Sequence, residues 1–386
     1  MENKLVVSGK FKMLTYVLMA IGVLSFALGF IFDAERTWAN YLLNNYYFVS
    51  LAIGAAFFGA IQYITNSGWS ALFKRIPEAM AAYIPFAAIF FILLFFGMHS
   101  IFEWTHDSVV QHDELLQHKS PYLNVPFFFI RVVVFFTLGI IMSKYLRKLS
   151  LLEDEVGGME YFKKSEFYSK IFIFIIAFSF SIFAVDMLMS LEPHWFSTLF
   201  AARSFISAFL HGSSIIALIV IILSRTGHFD LLTRSHLHDF TRYMFMTSII
   251  WGYFNFSEFM LIWYGNIPEE TVYFVHRWDG IYRIMFFAII ILNWLVPFVV
   301  LMPRKTSRSK LVIVPVIILL MIGQYIELYY IIWPATVGDA KFGLLEIGTF
   351  LGYVGLFTWV VSTWLAKANL YPKNHPYIEE SIYHHF

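Results

Sequence analysis

The segment Tyr168–Ser190, YSKIFIFIIAFSFSIFAVDMLMS, decides how the whole chain is read. No charged residue interrupts Ile171–Val185, and Asp186 then closes the run. At about 1.5 Å per residue such a helix crosses the roughly 30 Å apolar core of a bilayer. An ionisable side chain at the centre of a span costs roughly 2.5–3.5 kcal/mol on insertion scales, so Asp186 needs a partner, water or a nearby interface. Five more ionisable residues share this setting: Arg131, Arg203, Glu258, Arg283 and Glu327. Together they point to a polar path or pocket inside a membrane protein.

Composition agrees. Of 386 residues, 59% are hydrophobic and 14% charged, against about 25% charged in a soluble domain. The expected fold is all-α and polytopic, a single membrane domain over residues 1–386 with ten spans near 12–32, 45–65, 79–100, 122–143, 168–190, 196–224, 240–264, 279–302, 310–333 and 344–366. A net charge of +1 gives no case for nucleic-acid binding. With no cysteine, the chain has no disulfide, thiolate-held Fe–S cluster or covalent c-type haem attachment. No span carries two histidines, so haem b is not expected, and neither is a metal site.

Of the 27 lysines and arginines, only Arg36, Lys119, Arg277 and Lys341 fall on one side and three lie inside spans. The positive-inside rule then places both termini in the cytoplasm. The loop between spans 3 and 4, with Glu103, Asp107, Asp113, Glu114, His106, His112 and His118, faces outward. Spans 2–5 (45–190) resemble spans 6–9 (196–334) as a weak parallel repeat, with spans 1 and 10 flanking two four-helix bundles and 367–386 as a cytoplasmic tail. Phe48-Val49-Ser50 matches Phe205-Ile206-Ser207; Trp69 to Tyr83 matches Phe229 to Tyr243. Arg131 matches Arg283, and Asp186 before Pro193 matches Glu327 before Pro334.

In span 6, Arg203, Ser207, His211 and Ser214 fall on one helical face. A stripe of hydroxyl and imidazole groups is what a proton wire requires, since histidine passes protons near neutral pH. The bland alternative is a packing face whose serines bond their own i−4 carbonyls. The expected proton-path residues are Asp186, Arg203, Ser207, His211, Ser214, Glu258, Arg283 and Glu327. His99, Arg131 and Asp186 are the candidates for a quinone pocket.

Asp186-Met187-Leu188-Met189-Ser190-Leu191-Glu192-Pro193-His194-Trp195-Phe196-Ser197-Thr198 resembles the D-x-x-M-S-L-x-P-x-W-F-S-T stretch of alternative complex III membrane subunits, within the polysulfide-reductase (NrfD-like) family. The resemblance covers the whole chain. It implies a non-haem subunit of a respiratory quinol:electron-acceptor oxidoreductase in a bacterial inner membrane, with quinol as the substrate. Partners would be a paralogous membrane subunit, multihaem and monohaem cytochromes c, an Fe–S protein, small membrane anchors and a terminal oxidase. In the family's catalytic subunit a histidine on span 3 and an aspartate on span 4 line the quinol pocket. His99 matches the first, whereas span 4 here offers Arg131. A secondary transporter and a purely structural scaffold are the competing readings.

Overall fold

The computed structural model describes residues 4–385, which form helices and no β-strand. We number the long helices α1 (Gly9–Phe32), α2 (Ala34–Ile64), α3 (Ala71–Ile101), α4 (Val125–Val156), α5 (Glu160–Leu191), α6 (Thr198–Arg225), α7 (Arg234–Gly265), α8 (Gly280–Leu301), α9 (Lys310–Thr336) and α10 (Leu344–Leu365). Nine of these, all but α7, are long and apolar enough to cross a membrane, so the chain is a multi-pass membrane protein. Helix α7 has the length, 32 residues, but carries more polar side chains.

Several boundaries differ from those read in the sequence, each for a physical reason. Helix α2 starts well before residue 45 because its Asn- and Tyr-rich first turns face inward. Asn40 donates to Thr349 Oγ1 (2.5 Å), Asn44 to the Asn40 carbonyl (2.8 Å), and Tyr41 to the Phe90 carbonyl (2.8 Å). Much of the polarity of these turns is taken up inside the protein, although Asn44 Oδ1, Asn45 Oδ1 and the Tyr46 hydroxyl are buried without a hydrogen-bond partner. Helix α3 is irregular: its Ala82–Tyr83 turn precedes Pro85, which has no N–H for the previous turn. The tail also folds back. His384 Nε2 lies 2.5 Å from Asp239, Ser381 donates to the Trp69 carbonyl (2.6 Å), and a bridge between Lys4 and Asn369 brings both termini to one end, here the terminal face.

Helices α2 and α6 form the centre, each buried over 72% of its apolar window, against 17% for α1. They cross at glycines. A Cβ on Gly54 would sit 1.9 Å from the Ala208 carbonyl oxygen, and one on Gly212 would meet the Gly54 and Ala55 backbone at 2.7 Å. Close approach of backbones through small residues is a main source of helix association in lipid. Gly54→Leu should therefore separate α2 from α6 and cost about 1–3 kcal/mol or more. Its thermal unfolding midpoint in detergent should fall; an unchanged midpoint would count against this crossing.

At the terminal face Trp69, on the α2–α3 connection, packs against Phe240 of α7 (5.1 Å), and Phe73 of α3 packs against Phe229 of the α6–α7 connection (5.4 Å).

A buried carboxylate cluster between α6, α7, α8 and α9

Four helices converge on Glu327. Its Oε2 accepts from Ser207 Oγ on α6 (3.2 Å) and from Asn293 Nδ2 on α8 (3.3 Å). Its Oε1 accepts from Trp251 Nε1 on α7 (3.2 Å) and lies 4.0 Å from Arg203 Nε. The Arg203 guanidinium makes its close ion pair with Glu258 (2.8 Å) and donates to Asn255 Oδ1 (3.0 Å). Arg203, Glu258, Glu327, Ser207 and His211 are all buried. Ionised groups taken out of water persist only when paired and hydrogen-bonded. Arg203, Glu258 and Glu327 are all paired and Glu327 accepts three hydrogen bonds, whereas the Glu258 oxygens and Arg203 Nε have no hydrogen bond of normal geometry. Two carboxyls share one guanidinium, so the cluster is neutral only when it also holds one proton.

Local structure explains how the partners arrive. Pro297 cannot donate to the Asn293 carbonyl and its ring crowds that turn; the helix widens into a π-turn at Ile291–Leu295. The extra residue turns Asn293 inward to Glu327. Gly323, one turn before Glu327 on α9, leaves the space: a Cβ there would come within 2.2 Å of Asn293 Oδ1.

The expected α6 stripe is partly connected. Ser207 Oγ lies 3.3 Å from His211 Nδ1, which also approaches the Ser207 carbonyl (2.6 Å). Ser214 turns away and donates to the Leu210 carbonyl of its own helix (2.7 Å). The hydrogen-bonded run therefore ends at His211, whose Nε2 is buried without a partner of normal geometry, as is Asn293 Oδ1. Buried groups of this kind are where internal water is usually held.

A second stripe went unread in the sequence. On α7, Tyr243, Thr247, Trp251 and Asn255 recur every four residues and so share one face. Trp251 and Asn255 supply the contacts to Glu327 and Arg203 just described. The spacing was visible, but tryptophan and asparagine carry no charge to mark them.

Asp186 belongs to a separate cluster. Arg131 grips it with Nε to Oδ2 (2.7 Å) and Nη2 to Oδ1 (3.0 Å), and the Tyr122 hydroxyl donates to Oδ1 (3.0 Å). The guanidinium also stacks on the Tyr122 ring, 3.9 Å from its centroid. The repeat sets Arg131 against Arg283 and Asp186 against Glu327, and in the first copy the arginine and the acid bind each other. In the second copy the match fails: Arg283 is exposed, with no ion pair among the described residues, and Glu327 takes Arg203 instead. His99 is exposed too. It contacts Thr105 Oγ1 (3.1 Å) and is joined to neither Arg131 nor Asp186. The three quinone-pocket candidates thus do not converge, and the principal cavities are lined by other residues.

The segment from Asp186 to Thr198 acts as a strap. Glu192 pairs with Arg277, which is fully buried and donates to the carbonyls of Tyr330 (3.0 Å) and Ile331 (3.1 Å) on α9. Trp195 stacks on Tyr273 at 4.0 Å. Lys119 holds the Pro193 carbonyl (2.5 Å), and His194 meets Asp113 at 2.6 Å. The Leu116 N–H and the His194 imidazole hold the Asp113 carboxyl below the usual carboxylate range. Arg277, read from sequence as an ordinary loop cation, is in fact a central tie between the α5–α6 segment and α9.

The chain matches no protein-family model and no curated protein.

Proposed function

We propose that the chain is a ten-span, non-haem subunit of a respiratory quinol:electron-acceptor oxidoreductase. It has two four-helix bundles, α2–α5 and α6–α9, and cytoplasmic termini in a bacterial inner membrane. The observation that carries this reading is the buried Arg203–Glu258–Glu327 cluster, which needs one proton for neutrality and is hydrogen-bonded toward His211. A membrane subunit without a redox centre contributes to quinol oxidation by moving the protons released as electrons leave. The Asp186–Thr198 stretch supports the family resemblance but works as a strap between bundles, so proton movement is assigned to α6–α9. A cofactor is not assigned to this chain; quinol and the haem and Fe–S partners belong to the assembly.

A scaffold role is favoured by one observation, the Glu192–Arg277 and Trp195–Tyr273 contacts that tie the halves together. The two readings coexist in one subunit unless the cluster proves inert. An affinity-tagged chain, solubilised in mild detergent from its own membranes, should come out with bound c-type haem, visible in its absorbance, and with quinol-oxidising activity. Isolation of the intact chain free of haem-bearing partners sinks the oxidoreductase reading.

A further inference from the structure

We infer that the terminal face of the α2–α5 half holds a water-filled, charge-lined chamber, and that it is the intake through which protons reach the α7 stripe. The purpose rests on the proton-path reading above; the wetness of the chamber does not.

The chamber lies among the last turns of α2, the start of α3, the long extension of α4 and the tail. Polar side chains on its wall are Gln62, Tyr63, Lys74, Glu78, Arg147 and His375. Around it runs a network of buried ions. Lys74 Nζ pairs with Glu153 (3.0 Å), and Arg75 pairs with Glu78 (2.7 Å) and with Asp154. Ser150 links Arg75 (3.0 Å) to Glu78 (2.5 Å). Read as sequence, these residues belong to solvated connections; in the fold Arg75 is 2% exposed and Glu153 0%.

Two features separate this chamber from ionic glue. The space has room for water centres of about 60 Å³, and one water needs roughly 10–15 Å³ on that measure, so a few waters fit. Polar atoms on its wall also lack protein partners. Gln62 Oε1 and Arg147 Nη1 are buried without a hydrogen bond, the latter 3.8 Å from Glu78 and so beyond hydrogen-bonding reach. Most of the wall is apolar, but unpaired polar atoms beside a space wide enough for water are where water is held. His375 closes the tail side, 3.8 Å from Glu153. Burial, with Lys74 and Arg75 nearby, pulls its imidazole down to about 3, so it stays neutral and can relay a hydrogen bond without adding charge.

The exit is specific. Gln62, on the chamber wall, donates from Nε2 to the Tyr243 hydroxyl (3.1 Å), and Tyr243 begins the α7 face whose far end, Trp251 and Asn255, touches Glu327 and Arg203. Between them Thr247 donates to the Tyr243 carbonyl (2.6 Å), so a proton crossing this gap needs water. Aromatic packing closes the other direction. Phe135 stacks on Phe183 (4.3 Å), and Phe91 and Phe136 lie against Phe183 at 5.0 and 5.7 Å, between the chamber and Asp186.

The absence of native cysteine makes the test clean. Ala56 lines the chamber, whereas Ala52, one turn away on α2, does not. In sealed vesicles, Ala56→Cys should be blocked by silver ions added on the side of the termini, and Ala52→Cys should stay unreactive. Tyr243→Phe, measured as proton flux through the purified full chain in liposomes under an imposed pH gradient, should lower that flux by about 10²-fold, the lower end expected for loss of one positioned proton-transfer group. A folded Ala56→Cys protein that silver never reaches overturns the chamber. Normal flux in Tyr243→Phe beside a silver-reactive Ala56→Cys overturns the intake role. Neither readout involves quinol or partners, so failure here is distinct from failure of the oxidoreductase reading.

Discussion

Arg203→Met should destabilise the α6–α9 core by about 3–5 kcal/mol, the usual cost of stripping one partner from a buried ion pair. Methionine fills similar volume and keeps an apolar stem, so lost packing contributes little. The cost arises because Glu258 loses the cation 2.8 Å away and Glu327 loses the one cation paired with it among the described residues. Asn255 also loses its donor, whereas Ser207, Trp251 and Asn293 still hold Glu327. The expected result is a lower unfolding midpoint in detergent, partly restored in Arg203→Met/Glu258→Gln. The double change removes the stranded charge along with its cation, and the cycle isolates the pair's coupling. Equal midpoints for wild type and Arg203→Met would show that the three ionisable groups are not electrostatically coupled.

Charge was the legible part of this molecule. Apolar runs reveal spans because the bilayer penalises anything else, and intramembrane ions stand out for the same reason. Arg131, Asp186, Arg203, Glu258 and Glu327 were therefore all visible, though not which of them pair. Pairing was not legible in either half, because the repeat equates arginine with arginine and acid with acid and says nothing of which acid meets which arginine. What decides the partner of Glu327 is the π-turn that swings Asn293 inward and the glycine that admits it, both three-dimensional effects of Pro297 and Gly323.

Neutral polar residues were the main omission. Trp251, Asn255 and Gln62 cost little to insert, so hydropathy passes over them; only their four-residue spacing or their partners give them away. The ions around Lys74 escape a sequence reading for the opposite reason. Lysine, arginine and glutamate at helix ends are ordinarily solvated, and nothing local says that the tail will fold over them. The tail's own contacts, Asn374 to the Asp154 carbonyl (2.8 Å) and His384 to Asp239, are all long-range.

Glu327→Gln is expected to leave the protein folded and to slow proton movement by about 10²–10⁴-fold, the contribution of a positioned proton-transfer group. The carboxyl accepts from Ser207, Trp251 and Asn293, so an amide meets three donors. The site can adapt. Its new oxygen can keep the Trp251 N–H, while its NH₂ donates to the Ser207 hydroxyl and to Asn293 Oδ1, which lacks a partner and reaches it by an amide flip. Arg203 then keeps Glu258 as its one counter-ion, and the cluster is neutral with no proton to exchange. Folding therefore survives while the exchangeable site disappears, which separates a conducting role from a structural one. Glu327→Asp should recover part of the flux, because it restores a titratable oxygen on a shorter arm. The measurement is proton uptake by liposomes holding the chain, followed with a pH-sensitive dye. Full flux in a folded Glu327→Gln protein would leave the carboxylate cluster as packing alone.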